Sequence, residues 1–312
     1  MFKSTRVLRS TNCAVDVCAR KSGILEAPVD MRKSTSPLLP ARGHVVIEDL
    51  VKIYDPNGAC ITAVDHCSLE IEAGQICMIV GPSGCGKTTL LNAIAGFHEI
   101  TSGRILLDGE ILCSSQCPMA TPGAERIVVF QNGGLFPWKT NLDNVVFGPL
   151  VQGRLSRRNA VDKGRAMMAD AGLSGVENNY PGEVSSGMRR RVEIVRALMN
   201  EPKVLLLDEP YRALDSLTKS VMHEALLEIY YKNKVTIFFI THDLEEAVFL
   251  GHKVVIMTTR PCRPKSILAV DIPHPRDYSV LTTKEFRGFI EQANEAVHEE
   301  ALKAFQAGER EG

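Results

Sequence analysis

No run in this 312-residue sequence approaches the roughly 18 consecutive apolar residues that a bilayer-spanning helix needs. Any role at a membrane is therefore expected to pass through a partner. A surplus of one charge is missing too. The sequence has 36 Lys and Arg against 37 Asp and Glu, a net charge of −1, so nothing draws the chain onto nucleic acid. Aromatic residues make up 6%, with a single Trp at position 138. No two cysteines have Cys-x-x-Cys spacing, and the nine (13, 18, 60, 67, 77, 85, 113, 117, 262) are odd in number and scattered. This pattern fits reduced cytosolic thiols rather than a disulfide framework. Cys113 and Cys117 have no second pair, so free loop cysteines are expected there rather than a metal site. Residues 1–43 lack apolar periodicity and the continuous core of a secretory signal. Their excess of Arg and Lys over Asp16, Glu26 and Asp30 fits a disordered basic extension better than an organelle transit peptide.

The stretch Gly81-Pro82-Ser83-Gly84-Cys85-Gly86-Lys87-Thr88-Thr89 organises everything else. An apolar run, Gln75 to Val80, precedes it, and Leu90 to Ala95 continues it as a helix. Strand, glycine loop, Lys-Thr and helix make the complete phosphate-binding pattern in its required context. Glycines let backbone N–H groups turn inward as an anion nest, and the helix N-terminus adds partial positive charge. Lys87 can reach β- and γ-phosphates, and the Thr88 hydroxyl can ligate Mg²⁺. A nucleoside triphosphate is the expected ligand. Because Cys85 lies inside this loop, its alkylation or oxidation should block nucleotide binding.

Other apolar runs also end in polar residues. Ile127–Phe130 ends in Gln131, Val204–Leu207 in Asp208-Glu209-Pro210, and Thr236–Ile240 in Thr241-His242-Asp243. Continuous apolar runs suit strands buried on both faces of a largely parallel sheet. Open α/β sheets place ligands at the carboxyl ends of their strands. The phosphate loop, Gln131, Asp208, Glu209 and His242 are thus expected to converge on one site. Asp208 would hold Mg²⁺, and Glu209 would orient or deprotonate the attacking water. His242 could be structural or a γ-phosphate contact, and Gln131 a turn cap or a donor to Mg²⁺ and water.

Between Gln131 and Asp208 the pattern becomes helical, at Asn141–Phe147, Arg157–Ala171 and Arg189–Leu198, behind the apolar knot Leu135-Phe136-Pro137-Trp138. Toward the N-terminal side, Val45–Ile47, Val51–Ile53 and a strand pair over Ile61–Ile71 read as β. Lys284–Gln306 reads as a helix with Phe286, Phe289, Ile290, Ala293, Val297, Leu302 and Phe305 near helical spacing. Packing on the domain surface, or a dimer contact, is expected of it rather than a place on a membrane.

Residues 44 to about 256 resemble the ATP-binding subunit of an ABC transporter. The resemblance implies an α/β P-loop NTPase (RecA-like) core with a mainly parallel sheet, an antiparallel β subdomain and an inserted helical subdomain. It divides the chain into the extension 1–43, an ATPase domain 44–260 with its helical insertion at about 135–200, and a partly helical extension 261–312. Tyr54 matches the aromatic that stacks on adenine. Gly81–Thr89 matches Walker A, Gln131 the Q-loop, Asp208 and Glu209 Walker B with its catalytic glutamate, Asp215 the D-loop and His242 the switch histidine. The family signature falls on Val184-Ser185-Ser186-Gly187-Met188. Ser185 and Gly187 are kept, while Val184, Ser186 and Met188 depart from the pattern; Ser186 stands where the family has a first glycine, an exchange that matters if that position needs positive φ.

The family logic implies a homodimer that sandwiches ATP and Mg²⁺, with Ser185 and Gly187 of one copy facing Walker A of the other. It also implies a peripheral place on the cytoplasmic face of the inner membrane. A membrane permease would dock near Phe136–Trp138, unless Trp138 is simply core, and a periplasmic substrate-binding protein would act through that permease. Thr121–Gln131, Leu135–Trp138, Thr259-Arg260-Pro261 and Asp271-Ile272-Pro273 resemble the nitrate/sulfonate/taurine importers. An exporter ATPase is the alternative, and a soluble ABC ATPase acting on ribosomes or nucleic acid fits less well.

Overall fold

A computed structural model describes residues 42–212 and 214–306; the expected basic extension lies almost wholly outside them. The described chain begins with two long strands, β1 (Val45–Tyr54) and β2 (Ile61–Ile71). Each is continuous where the sequence suggested two pieces. A register shift between Ile47 and Leu50, with Asp49 at φ 50°, lets β1 bend without ending. β3 (Ile76–Val80) leads through the glycine loop into α1 (Lys87–Ala95), which Gly96 closes in the left-handed conformation at φ 83°. β4 (Ser102–Leu107), β5 (Glu110–Ser114) and β6 (Arg126–Val129) follow.

The helical segment contains α2 (Asn141–Val151), α3 (Arg157–Asp170) and α4 (Ser186–Leu198). Thr140, Ser156 and Ser185 cap their N-termini, each accepting a backbone N–H. α4 therefore starts three residues before the apolar spacing announces it. Next come β7 (Val204–Asp208), α5 (Ser216–Asn233), β8 (Thr236–Ile240), α6 (Leu244–Leu250), β9 (Lys253–Met257), β10 (Pro264–Ala269) and α7 (Lys284–Gln306).

Strands form two sheets. An antiparallel sheet has the order β2-β1-β4-β5, and a six-stranded sheet the order β10-β9-β3-β8-β7-β6. In the larger sheet β9, β3, β8, β7 and β6 are parallel, while β10 runs antiparallel on β9. β10 carries that sheet beyond residue 260, so the sheet crosses the 260/261 boundary drawn from the sequence.

Alternate residues of the central strands feed two apolar layers. Cys77, Ile79, Leu206, Phe238 and Ile240 pack toward α1 and the antiparallel sheet, and Met78, Val80, Leu205, Leu207 and Phe239 toward α4, α5 and α6. Burial on both faces is why these strands show no alternation. Each large side chain so buried contributes about 1.5–3 kcal/mol.

α7 packs on α6, β9 and β10, burying Phe286 and Ala293. Its last turn departs from the expected stripe, with Leu302 and Phe305 exposed. The buried Arg276 ties the C-terminal segment to the domain. Its guanidinium donates to the carbonyls of Val248, Phe249 and Gly251 at the end of α6, and burial lowers its pKa to about 10. Among the described residues no helix is long and apolar enough to cross a membrane.

Candidate functional site

β3 delivers the chain to the loop, and the loop's shape demands its glycines. Gly86 sits at φ 120°, and a Cβ there would lie 2.4 Å from the Ala63 carbonyl oxygen. Only glycine allows this approach. Lys87 is buried, and its Nζ donates to the carbonyl oxygens of Gly81 (2.8 Å) and Pro82 (2.7 Å), with Cys85 Sγ at 3.8 Å. Among the described residues this ammonium forms no ion pair with a carboxylate. A buried cation held by two carbonyls and a neighbouring sulfur, with no carboxylate paired to it, is suited to an anion.

Two neighbours of Lys87 reach outward from the start of α1. Thr88 Oγ1 donates to Asp208 Oδ1 at 3.3 Å, joining the loop to the end of β7. Burial pushes the Asp208 carboxyl up, helped by the nearby Glu209 charge and opposed by the Thr88 hydrogen bond. Hydroxyl and carboxylate oxygens converging here are a donor set that fits a hard cation such as Mg²⁺. Thr89 Oγ1 accepts the Tyr54 hydroxyl at 3.3 Å, and that hydroxyl also pairs with His98 Nδ1 at 2.9 Å. Tyr54 thus stands at the flank of the loop helix.

Glu209 occupies the left-handed region at φ 42°, rare for a side chain of this size. Its N–H donates to the Ile240 carbonyl (3.0 Å), which fastens the end of β7 to the end of β8. Its Oε2 lies 3.7 Å from Nδ1 of His242, a half-exposed side chain, and 3.3 Å from Arg212 Nη1. Gln131 is exposed just past β6. It lines a cavity of ≈ 340 Å³ with Ser186, Arg189, Arg190, Pro210 and Leu214.

Three expected site residues stand apart from the loop. Ser185 caps α4 by accepting from Met188 N (3.2 Å), Gly187 abuts Thr218 of α5, and Asp215 caps α5 by accepting from Thr218 N (2.9 Å). None of these contacts touches the glycine loop. Ser186 is the first residue of α4 and is not among the residues with positive φ, so the family glycine is not required there. Trp138 is 71% exposed, which overturns the core reading. Phe136 beneath it packs on Phe147 and under Arg196. Cys113 is buried and Cys117 exposed, and they belong to no ligand cluster among the described residues.

The sequence reading missed Arg190. It is buried and donates to the Phe130 carbonyl (2.8 Å) and the Pro210 carbonyl (2.6 Å), and it pairs with Glu193. It therefore bridges the residues immediately before Gln131 and after Glu209. Its signal was present: Gly187, Arg190, Ile194 and Ala197 share one helical face, with a charge inside the apolar stripe. Arg260 was noted only as part of a subfamily motif, yet its Nη2 donates to the Gly84 carbonyl at 2.9 Å.

A parallel sheet with a glycine loop, a buried lysine and strand-end carboxylates beside a helix N-terminus defines a P-loop ATPase. Residues 64–212 match the protein family described as ABC transporter. An uncharacterized ABC transporter ATP-binding protein of Methanocaldococcus jannaschii is 42% identical over 241 residues, 77% of this chain and 87% of that protein. The nitrate import ATP-binding protein NrtD of Synechocystis is 40% identical over 78% of this chain and 91% of its own length. The taurine import ATP-binding protein TauB of Rhizobium johnstonii is 45% identical over 66% and 76%. Among solved structures, the dimeric ATP-binding cassette MJ0796 with ADP and Pi is 26% identical with a TM-score of 0.62, covering 73% of this chain and 100% of that one. The chain belongs to the ABC transporter ATP-binding family.

Proposed function

We propose that this chain is the ATP-hydrolysing subunit of an importer, working as a homodimer on the cytoplasmic face of the inner membrane and driving a permease. The observation that carries the nucleotide part is the buried Lys87 ammonium, held by two carbonyls and no carboxylate. Phosphate oxygens would replace those carbonyls. The loop amides and Lys87 bind the β- and γ-phosphates, and Tyr54 supplies a face for adenine. Thr88, Asp208 and Gln131 would hold Mg²⁺, which when bound neutralises phosphate charge. Glu209 accepts the proton of the attacking water on its carboxylate, and His242, 3.7 Å away, orients that carboxylate and contacts the γ-phosphate.

Ser185 and Gly187, which touch no part of their own loop, would close over the γ-phosphate of a second copy, with Asp215 at the same seam. The exposed Trp138 above Phe136 offers an aromatic anchor for the permease. The import names of the taurine and nitrate relatives support import, and solutes with a small oxyanion group, over export. A periplasmic substrate-binding protein would act through the permease. The test is capture of partners from detergent-solubilised host membranes by tagged Glu209→Gln protein with ATP. A multi-span permease is expected. Capture of ribosomal or DNA-repair proteins without a membrane protein would overturn the importer reading.

A further inference from the structure

Two buried thiols meet behind the phosphate loop. Cys85 is the loop residue between Gly84 and Gly86 and is 1% exposed; Cys262, in the turn between β9 and β10, is fully buried. Both thiols lie in the same buried cluster, close enough for each to shift the other's ionisation. The turn that carries Cys262 is itself fixed, because its N–H donates to the Ala63 carbonyl (2.9 Å) and its carbonyl accepts from Asp65 N (3.2 Å). Loop and turn are closely apposed: a Cβ on Gly86 would lie 2.8 Å from Cys262 Cβ.

We propose that Cys85 and Cys262 are an oxidation site, and that a peroxide-class oxidant joins them in a disulfide that fastens the phosphate loop to the β9–β10 turn and excludes nucleotide.

The surroundings divide the roles. Cys85 has the Cys262 thiol as a close neighbour and the Lys87 ammonium 3.8 Å away, and together they hold its pKa below the ordinary thiol range against the effect of burial. Cys262 shifts the opposite way, raised by the neighbouring Cys85 and by its own burial. Cys67 and Cys77 are buried without such help, and burial pushes both up to about 12. Cys85 is thus the attacking thiolate and Cys262 the resolving thiol. The Cys85 thiolate attacks one peroxide oxygen and the O–O bond breaks. Hydroxide leaves, taking up the proton Cys85 lost, and Cys85 becomes a sulfenic acid. The Cys262 sulfur then attacks the Cys85 sulfur, the S–O bond breaks, and water leaves with the Cys262 proton. Two thiols and one hydrogen peroxide give one disulfide and two waters, the sulfurs supplying both electrons.

The bond acts on the part of the loop that must receive phosphate. It removes the thiolate beside Lys87 and fixes the centre of the Gly84–Gly86 segment against the turn. By reciprocity, bound nucleotide draws Lys87 away from Cys85 and slows the oxidation. The affinity half of this proposal rests on the ATP-binding reading; the formation of the bond does not.

The test treats the full chain with hydrogen peroxide, maps disulfides by non-reducing peptide mass spectrometry and measures binding of a fluorescent ATP analogue. The expected result is a linked Cys85–Cys262 peptide and at least about a tenfold loss of affinity, restored by dithiothreitol. Saturating ATP should slow the linkage. Cys262→Ala should bind the analogue normally when reduced and form no link, and its loss of affinity in peroxide should resist dithiothreitol because Cys85 over-oxidises. Oxidised Cys85 without a link to Cys262, or a linked pair with unchanged affinity, would overturn the proposal. A link that forms in a protein with no affinity for the analogue even when reduced would instead overturn the ATP-binding reading.

Discussion

The carboxyl edge of the parallel sheet and the amino end of α4 are both polar, yet one copy of the chain brings together only the first. At the sheet edge, Thr88 bonds to Asp208, the backbone of Glu209 bonds to β8, and Glu209 faces His242. At α4, Ser185 Oγ accepts from its own turn, and a Cβ added at Gly187 would meet Thr218 of α5 at 3.0 Å. Local bonds hold Ser185 in place but give its hydroxyl no chemical partner across the molecule. On the function proposed above, the contrast separates a site assembled by strand order from one that association would complete.

The largest expected effect breaks the sheet-edge half. Glu209→Gln keeps ATP binding but loses the proton acceptor, so steady-state phosphate release should fall about 10²- to 10⁴-fold while an ATP-bound dimer persists in light scattering. Near-normal turnover would remove Glu209 from the mechanism. Lys87→Ala deletes the one buried ammonium of the loop. Nucleotide affinity by titration calorimetry should drop roughly 100-fold, the equivalent of about 3 kcal/mol.

The next variant sharpens the comparison, because it should change turnover without affinity. Ser185→Ala should leave monomer affinity within about twofold while turnover falls about tenfold if, as proposed, its hydroxyl acts on the partner's nucleotide. It also removes a helix cap, about 1 kcal/mol of stability, readable as a lowered midpoint in urea. Equal losses of affinity and turnover would put Ser185 in its own chain's site instead. The smallest effect on chemistry belongs to Trp138→Ala. As an exposed side chain away from the loop, it should change basal ATP turnover by about twofold or less while permease capture is lost. Retained capture would move the docking surface elsewhere.

Much of the sheet edge was legible because a buried parallel strand is a run of apolar residues with a polar stop. The ends of β6, β7 and β8 lie within a residue of the apolar runs Ile127–Phe130, Val204–Leu207 and Thr236–Ile240. β10 escaped because Pro264–Ala269 is short and half exposed, and it becomes a strand only by pairing with β9. The early start of α4 escaped because a capping serine carries no hydrophobic signal. Arg190 escaped because three consecutive arginines look solvated until one is seen to turn inward to two carbonyls.

The sequence alone determined the nucleotide loop, the strand-end residues that could serve it and the family to which they point. These features are local, set by backbone conformation at glycine and by hydrophobic runs a few residues long. Tertiary structure alone decided which of those residues share a site and which do not. It placed Asp208 against Thr88 and Glu209 beside His242, bonded Ser185 within its own turn, exposed Trp138, and set Cys262 against the phosphate loop that carries Cys85, 177 positions away in the chain. The physical reason is strand order: β3, β8 and β7 are neighbours in the sheet but far apart in the chain, and only the hydrogen-bonded register brings their ends together.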